Sequence, residues 1–405
     1  MVTEQVQFNP LAPGMLADPY PTYKALRDSR PVSWSPVMDA WILTRFADVD
    51  FVLTDPRFSA DRRVARNRFA EMVRQRQQEL GPFAQAQTML SSDPPEHTRL
   101  RRLVSKAFTP RAVEDLRPRI QALVDHLLDL VQEQGETDIV LDLAYPLPVI
   151  VIAEMLGVPP ADRDKFKHWS TMVVATLGGP FAAPGVLEKG RQAIEELAGY
   201  FAGIIQERRQ SPQNDLISGL IAAEEQGQVL SEEEIFATAI LLLVAGNETT
   251  TNLIGGSVIT LLNHPEQLQA LREEPGLIQP AVEELLRFSG PVHATGRVLK
   301  EDLEVGGQPM EAGQVAFCLL AAANRDPEKY ADPERFDVRR NPADHLAFGD
   351  GTHFCLGAPL ARAEAQIALG TLLRRFPRLA LRAEPEWGGT FIIRGPKQVL
   401  LDVGK

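Results

Sequence analysis

The spacing of apolar and polar residues along the chain predicts many helices and a few short strands. A first helix is predicted over residues 18–29, and the segments at 32–35 and 39–45 predict the two strands of a hairpin. Several helices follow between Pro110 and Arg209, broken near Pro159 and by a Gly/Pro-rich segment at 178–185 that we interpret as a flexible lid. The polar stretch from 58 to 92 predicts an irregular excursion with one short helix, of the kind that often covers a binding site.

One long helix stands out in the second half of the chain. Ser231 and Glu234 fit a capping box, so we place the helix start at Ser231 and its end near Asn263, before Pro265. At ~1.5 Å per residue such a helix is roughly 50 Å long, enough to cross a domain of this size. The fold class that we predict is mainly α with small β-sheets.

Shorter elements complete the prediction after the long helix. A helix is predicted over about 277–289, short strands over 297–305 and 315–320, and a last helix over about 358–374. A Pro-rich stretch runs up to residue 348, and a Gly-rich loop precedes the last helix. Because the sequence contains no internal repeat and no linker-like segment, residues 1–405 are predicted to form a single domain.

Charge and cysteine content narrow the possible functions. The chain has 54 acidic and 42 basic residues, a net charge of −12, which argues against binding to nucleic acid or to an anionic membrane. The longest apolar run in a helix-like segment, residues 239–246, is far shorter than the ~20 residues that span a bilayer. Two cysteines cannot form a four-cysteine metal site, and the N-terminal residues do not resemble a secretion signal. We therefore expect a cytoplasmic protein.

The loop before the last helix carries the strongest chemical signal. Within residues 348–357, three glycines allow the backbone to approach a flat ligand closely, and Cys355 comes just before the helix. The positive end of the helix dipole favours the thiolate that a metal requires. Cys318, in contrast, lies in an apolar strand-like run and is predicted to be an inert core residue.

The pattern Phe-Gly-x-Gly-x-x-x-Cys-x-Gly in that loop resembles the haem-binding loop of the cytochromes P-450. The resemblance implies the P-450 fold, in which the long helix crosses the haem, and a haem b cofactor whose iron is bound by Cys355. It also places Phe348, His353 and Gly357 of the loop in the cofactor site. Electron donation from the thiolate assists cleavage of the O–O bond in this family.

A second motif lies in the middle of the long helix. Gly246 costs about 1 kcal/mol relative to alanine inside a helix, and Thr249 can bond the carbonyl of Ala245 one turn back, so we expect a loosened turn here. An acid followed by an alcohol at such a turn suits proton delivery. The motif is similar to the family signature Ala-Gly-x-(Asp/Glu)-Thr. The resemblance implies that Thr249 steadies bound dioxygen, that Glu248 helps to deliver protons, and that Ala245 lines the cofactor site.

Cations are needed for the two propionates of haem, and residues 97–106 offer two cationic helix faces. His97 and Arg101 share one face and match the His-x-x-x-Arg pair that binds propionates in the family; Arg297 and His353 also occupy matching positions. The other face, with Arg99, Arg102 and Lys106, is open to two interpretations: a docking site for an acidic electron carrier or ordinary surface charge.

A third motif, Glu284-x-x-Arg287, matches the structural Glu-x-x-Arg pair of the family. We expect Arg335 to be its third member. The resemblance also indicates a mostly apolar substrate pocket. Its predicted lining residues are Leu90, Leu241, Val244, Ala245, Val292, Thr295, Phe391 and Ile392.

The function implied by the resemblance is that of a haem-thiolate monooxygenase. Such an enzyme inserts one oxygen atom from O2, by hydroxylation or epoxidation, into an apolar small molecule such as a macrolide, terpenoid, steroid or fatty acid. The sequence has no Gly-x-Gly-x-x-Gly dinucleotide motif, so electrons are expected from a ferredoxin or flavodoxin with its NAD(P)H reductase.

Three alternatives remain open at this point. The first is a peroxide-driven peroxygenase, against which the intact Glu248-Thr249 pair argues. The second is a non-catalytic haem sensor or electron carrier. The third is a cysteine hydrolase, which is disfavoured because His353 lies only two residues from Cys355, in poor geometry for a catalytic dyad.

Overall fold

The computed structural model of the protein describes residues 7–67, 88–107, 109–176, 185–225 and 227–404, together with positions 71, 74, 75 and 78. Among these residues the chain forms mostly helices, as predicted. The α-helices, in chain order, span Tyr20–Ser29, Phe46–Thr54, Glu96–Ala107, Pro110–Gln134, Pro146–Met155, Arg163–Ala175, Val186–Gln210, Leu216–Ala222, Glu232–Leu262, Pro265–Glu273, Ile278–Ser289, Leu320–Ala323 and Ala358–Arg375.

Short helical segments and strands connect these helices. Five 3₁₀ segments in the described ranges span Arg62–Val64, Pro160–Asp162, Pro275–Leu277, Leu346–Phe348 and Gly351–His353, and a π-helical turn spans Val140–Ala144. The strands β1 to β14 span, in chain order, Val32–Ser35, Ala40–Leu43, Phe58–Ser59, Glu136–Asp138, Glu224–Glu225, Gln228–Val229, Thr295–Leu299, Leu303–Val305, Gln308–Met310, Val315–Cys318, Ala380–Leu381, Glu386–Gly389, Arg394–Gln398 and Leu400–Asp402.

The chain divides into two compact units, which we describe separately. Unit 1 comprises residues 1–67, 117–146 and 249–405, and it contains a five-stranded sheet of order β1-β2-β10-β7-β3. The predicted hairpin of β1 and β2 is antiparallel, with Trp34 opposite Trp41. Apolar side chains of this sheet and of the helix Phe46–Thr54 share one buried core, which includes Leu43, Val52 and Leu299. Burial of such apolar surface stabilises the unit.

Unit 2, residues 68–116 and 147–248, is helical apart from one small hairpin of β5 and β6 in its described part. Aromatic side chains join the helices Arg163–Ala175 and Val186–Gln210. The rings of Phe166 and Phe201 meet edge to face at 6.0 Å, and those of Trp169 and Tyr200 lie 5.3 Å apart. Such ring pairs add to the stability that area burial gives.

The predicted capping box defines the start of the long helix, Glu232–Leu262. The backbone N–H of Glu234 donates to Ser231 Oγ at 3.2 Å, and the N–H of Ser231 donates to the Glu234 carboxylate at 2.8 Å. These bonds satisfy backbone donors that the first turn leaves without helical partners. The α-helix continues without interruption through Gly246, so the expected loosened turn does not break it.

Two predictions fall partly or wholly outside the described residues. The lid at 178–185 lies outside them except for Gly185, and the excursion at 58–92 is described only at its two ends and at four positions between. None of the helices that the structure describes is long and apolar enough to cross a membrane.

Candidate cofactor and oxygen-activation site

The loop that carries Cys355 belongs to unit 1 and is closed by hydrogen bonds at its base. The N–H of Cys355 donates to the carbonyl of Phe348 at 3.0 Å, and Asp350 caps the 3₁₀ turn Gly351–His353 through the N–H of Gly351 at 2.6 Å. Gly351 has φ +66°, and a Cβ there would lie 2.8 Å from the carbonyl oxygen of Leu53. Glycine is therefore required at 351 both by the backbone conformation and by the close approach.

Two other glycines leave space in this loop, and that of Gly357 lies beside the cysteine sulfur. A Cβ placed on Gly357 would lie 3.9 Å from Cys355 Sγ, the nearest atom, and one on Gly349 would come no closer than 4.0 Å to its nearest neighbour, the oxygen of His353. Cys355 itself is half-buried. The loop thus presents a single sulfur next to open space, which is the shape that a flat ligand needs.

The residues that the structure describes do not supply a complete set of metal ligands at this sulfur. Within the described ranges, no group of three or more His, Cys, Asp or Glu side chains could hold a metal ion. A metal bound to Cys355 would therefore need most of its ligands from another molecule, as a porphyrin provides. The donor set and the open space fit a haem group.

A buried charge network fixes Phe348 at the start of the loop. The Arg362 guanidinium lies 4.6 Å from the centre of the Phe348 ring and donates two hydrogen bonds of 2.7 Å to Glu283. Burial alone would raise the pKa of Glu283, but hydrogen bonds from His345 and Arg362 outweigh it and bring that pKa down to about 2. Glu283 therefore stays ionised and holds Arg362 against the ring.

The predicted Glu-x-x-Arg pair forms the next layer, and one of its predicted members is wrong. Glu284 and Arg287 are fully buried and joined by hydrogen bonds of 2.7 and 2.8 Å. The third cation is Arg340, whose guanidinium lies 3.1 Å from Glu284; the side chain of Arg335 is largely exposed, and only its backbone carbonyl accepts from Arg287. The side chain of Phe336, the next residue, is buried in this turn, and that of Arg335 therefore points toward solvent.

Sequence reasoning missed Glu364 on the final helix, Ala358–Arg375. Its side chain is fully buried and bonded to the hydroxyl of Thr250, while Oε1 has no hydrogen-bond partner in the described part of the protein. Burial raises the pKa of Glu364 to about 8 against the lowering effect of the Thr250 bond, so its carboxyl holds a proton at neutral pH. The signal was present: alanines at 361, 363, 365 and 368 surround this glutamate and indicate a helix buried on most sides.

The middle of the long helix presents an accessible face that passes from unit 2 into unit 1. Leu241, Val244, Ala245, Glu248 and Thr249 all keep accessible surface, and their spacing of three or four residues places them on one side. Such apolar residues in the middle of a helix are normally covered by protein. A surface of this kind suits a bound ligand.

Two polar side chains of this part of the helix, Asn247 and Glu248, differ in their hydrogen bonding. Asn247 is buried and donates to Ser170 Oγ at 2.9 Å, which joins two helices of unit 2. Oε2 of Glu248 is buried, without a hydrogen-bond partner among the described residues, and burial raises the pKa of Glu248 to about 7. A carboxyl group with this pKa exchanges a proton readily at neutral pH.

The predicted propionate ligands are distributed over both units. In unit 2, His97 is buried and Arg101 half-buried, one turn apart on the helix Glu96–Ala107. In unit 1, Arg297 is buried on β7 and His353 is half-buried in the cysteine loop. Arg297 Nη1 donates to its own strand, to the Gly296 carbonyl at 3.0 Å and to Thr295 Oγ1 at 3.3 Å.

One of the three residues on the second cationic face is neutralised. Arg99 forms ion pairs with Glu96 and Glu234 within unit 2. The side chain of Lys106 lies outside the described residues, and Arg102 is exposed. Since Arg99 already has two acidic partners, it would add little to the attraction of an acidic electron carrier, and both interpretations of this face stay open.

The predicted substrate-pocket residues of unit 1 come together, whereas those of unit 2 lie on two separate elements. In unit 1, the N–H of His293 donates to the Ile392 carbonyl at 2.8 Å, which sets the segment of Val292 and Thr295 beside that of Phe391 and Ile392. In unit 2, the predicted residues are Leu241, Val244 and Ala245 of the long helix, and Leu90 in the turn after Thr88. All eight keep accessible surface.

Cys318, the second cysteine of the chain, is fully buried, and burial raises its pKa to about 12, which confirms an inert core thiol.

Comparison with known proteins shows the family directly. The family model "Cytochrome P450" matches residues 51–386. The cytochrome P-450 monooxygenase PikC of Streptomyces venezuelae is 44% identical over 94% of this chain and 90% of its own length. The solved structure of the bacillaene polyketide synthase cytochrome PksS of Bacillus subtilis has a TM-score of 0.90 at 37% identity, covering 98% of this chain and all of the other.

A second solved structure, P-450 BioI in complex with an acyl carrier protein ligated to hexadec-9Z-enoic acid, has a TM-score of 0.88 at 40% identity. It covers 96% of this chain and 98% of that one. The chain therefore belongs to the cytochrome P-450 family. It is an oxidoreductase of the monooxygenase type, which uses a haem cofactor, dioxygen, a redox partner and an organic substrate.

Proposed function

We propose that residues 1–405 form one catalytic domain that holds haem b through the thiolate of Cys355. This domain would insert one oxygen atom from O2 into an apolar small molecule. The observation that carries the proposal is the sulfur of Cys355 on a closed loop, with the space that Gly357 leaves beside it. His97, Arg101, Arg297 and His353 would bind the propionates through charge-assisted hydrogen bonds.

The protein's own residues would position the reactants and move the protons. When bound, the haem supplies the iron centre at which dioxygen is reduced and cleaved. Glu248, with a pKa of about 7, takes up a proton from solvent and releases it on the accessible side of the helix. The hydroxyl of Thr249, the next residue along the same helix, would orient dioxygen by donating a hydrogen bond to it. Ala245 and Phe348 line the cofactor site, and Gly357 leaves room for it.

The apolar residues around the site would hold the substrate and exclude water. Val292, Phe391 and Ile392 form one wall in unit 1, and Leu241 and Val244 form another surface in unit 2. A mostly apolar pocket with few polar groups is typical of enzymes that bind hydrophobic small molecules. We propose a macrolide, terpenoid, steroid or fatty acid as the substrate class, in line with the acyl chain in the P-450 BioI complex and with the polyketide relative PksS.

Electrons would come from a ferredoxin or flavodoxin with its NAD(P)H reductase. The Glu248 carboxyl group, whose Oε2 has no hydrogen-bond partner among the described residues, favours dioxygen over peroxide, because peroxide already carries the protons that a dioxygen enzyme must deliver. Turnover with a ferredoxin, its reductase and NADPH under air should exceed turnover with hydrogen peroxide. The reverse order would favour the peroxygenase.

The thiolate is tested by spectroscopy on the purified holoprotein. The wild-type protein, reduced and exposed to carbon monoxide, should show the strongly red-shifted Soret band of a thiolate-bound haem. Cys355→Ser should lose that band, while Cys318→Ser, at the buried thiol, should keep it. An unchanged band in Cys355→Ser would refute the assignment.

A further inference from the structure

A second arginine lies beside Arg297 in unit 1. The strand β3 pairs antiparallel with β7, Ser59 opposite Val298, so the chain after Ser59 runs back along β7 toward Arg297 and Thr295. The 3₁₀ segment Arg62–Val64 follows and packs against β7. This path brings Arg62 close enough to Arg297 for their like charges to interact.

Among the described residues, no acidic side chain is bonded to Arg62. The nearest acid in sequence, Asp61, is bonded to Arg63, with the two side chains joined at 2.6 Å and the Arg63 N–H donating to Asp61 at 3.0 Å. Within the described ranges, the Arg62 guanidinium makes neither an ion pair nor a hydrogen bond. A guanidinium that lies beside a second one and has no acidic partner is unfavourable unless an anion binds to both.

Arg62 is accessible to solvent and at the same time has protein around its charged group. The residue keeps a large accessible surface. Even so, burial lowers the pKa of Arg62, and the like charge of Arg297 lowers it further. Arg62 is thus a solvent-accessible cation that its surroundings destabilise. Thr295, a predicted pocket residue, accepts a hydrogen bond from Arg297 at 3.3 Å, so Arg297 adjoins the proposed site.

We propose that Arg62 and Arg297 together bind a carboxylate group. A guanidinium group attracts a carboxylate by its opposite charge, its paired N–H donors match the two carboxylate oxygens, and a carboxylate between two guanidinium groups reduces their mutual repulsion. The carboxylate would come from a haem propionate or from the acid end of a substrate chain. The first source rests on the proposed haem site; the second adds a carboxylic acid to the substrate class.

The variant Arg62→Gln of the holoprotein separates the two sources. If a propionate is the ligand, transfer of haem to apomyoglobin should become about tenfold faster, since a hydrogen bond to a charged group is worth roughly one factor of ten or more. If a substrate acid is the ligand, the Kd for hexadecanoic acid, read from the Soret shift, should rise about tenfold while that for hexadecan-1-ol stays constant.

Arg63→Gln is the matched control, because Arg63 lies on the same 3₁₀ segment, is half exposed and already pairs with Asp61. It should leave both measurements at the wild-type values. Arg62→Lys keeps the charge, so its haem-transfer rate or its Kd for hexadecanoic acid should lie between those of the wild type and of Arg62→Gln. This variant provides the test if Arg62→Gln does not fold. If neither haem transfer nor acid binding changes in either Arg62 variant, the inference is wrong. A wild-type protein without the red-shifted carbon monoxide band would instead refute the proposed function.

Discussion

Glu284 and Glu364 are both fully buried glutamates of unit 1, but their surroundings differ. Glu284 receives two hydrogen bonds from Arg287, one from Arg340 and one from the backbone N–H of Asp337. Glu364 receives one bond, from the neutral hydroxyl of Thr250. A buried carboxylate with two cations is compensated as an ion, whereas one without a cation keeps its proton.

This difference distinguishes glutamates that stabilise the fold from glutamates that can exchange protons. The cluster around Glu284, like the pair of Glu283 and Arg362, ties together the elements that hold the cysteine loop. Glu364 and, in unit 2, Glu248 remain able to gain and lose protons near neutral pH. Perturbed pKa values of this kind are concentrated at functional sites.

The largest effect is expected from Glu284→Gln. The change leaves the buried cation of Arg287 without its ion-pair partner, so the free energy of unfolding should fall by about 3–5 kcal/mol. Denaturant unfolding followed by circular dichroism measures this. The control is Glu274→Gln, which removes the same charge from the exposed pair of Glu274 and Arg339 and should cost less than about 1 kcal/mol. Equal losses of unfolding free energy in the two variants would show that the buried pair of Glu284 and Arg287 contributes no more to stability than an exposed ion pair.

The second expectation concerns Glu364→Gln and its dependence on pH. Because the pKa of Glu364 is raised to about 8 in the folded protein, its favourable contribution is complete below the unfolded pKa and is lost as pH rises through about 8. Glutamine does not titrate, so the variant should lack this loss. A pKa raised from the ordinary 4.5 to about 8 corresponds, at about 1.4 kcal/mol per pH unit, to at most about 5 kcal/mol, so the variant should be more stable than the wild type by up to that amount at high pH and about equally stable near pH 5. A difference that is independent of pH would contradict a protonated Glu364.

Third, Glu248→Gln should lower turnover with dioxygen and an electron donor by about 100-fold, because a proton donor is lost. The carbon monoxide band and the binding of substrate should not change. Turnover with hydrogen peroxide should fall much less than turnover with dioxygen. Glu232→Gln, an exposed acid at the start of the same helix, is the control and should retain activity. If Glu248→Gln loses the same share of turnover with peroxide as with dioxygen, Glu248 does not deliver protons to oxygen.

The smallest effect distinguishes Arg340 from Arg335. Arg340→Ala should lower the free energy of unfolding by about 1–2 kcal/mol, since it removes a hydrogen bond to a buried carboxylate. Arg335→Ala should cost less than about 0.5 kcal/mol, because its side chain is largely exposed and pairs only with Asp337 at 3.5 Å. Thermal unfolding of the two variants compares them, and a larger loss for Arg335→Ala would reverse the assignment.

Local signals were sufficient for much of the fold. The capping box at Ser231, the hairpin strands and the last helix were each predicted to within two residues at their defined ends, because turns and caps depend on neighbouring residues. The family, and with it the haem cofactor and the class of reaction, also followed from local motifs. The site residues remain predictions, supported by where the structure places them.

Contacts between distant segments were not predictable in this way. The choice between Arg335 and Arg340 depends on how one turn packs Phe336, and the sequence contains both arginines within six residues. The burial of Glu364 and the proximity of Arg62 to Arg297 depend on helix rotation and strand register, which a single sequence does not specify.

The order of the five-stranded sheet has a consequence for synthesis on the ribosome. Strand β2, from the first tenth or so of the chain, pairs in parallel with β10, and β3 pairs with β7, so the early strands wait for partners that are translated some 250 residues later. At roughly 5–20 residues per second, that interval is on the order of tens of seconds. During this time the unpaired edges of the early strands in the nascent N-terminal segment are exposed. Such edges can pair with other chains, and a chaperone that binds this segment would prevent that pairing.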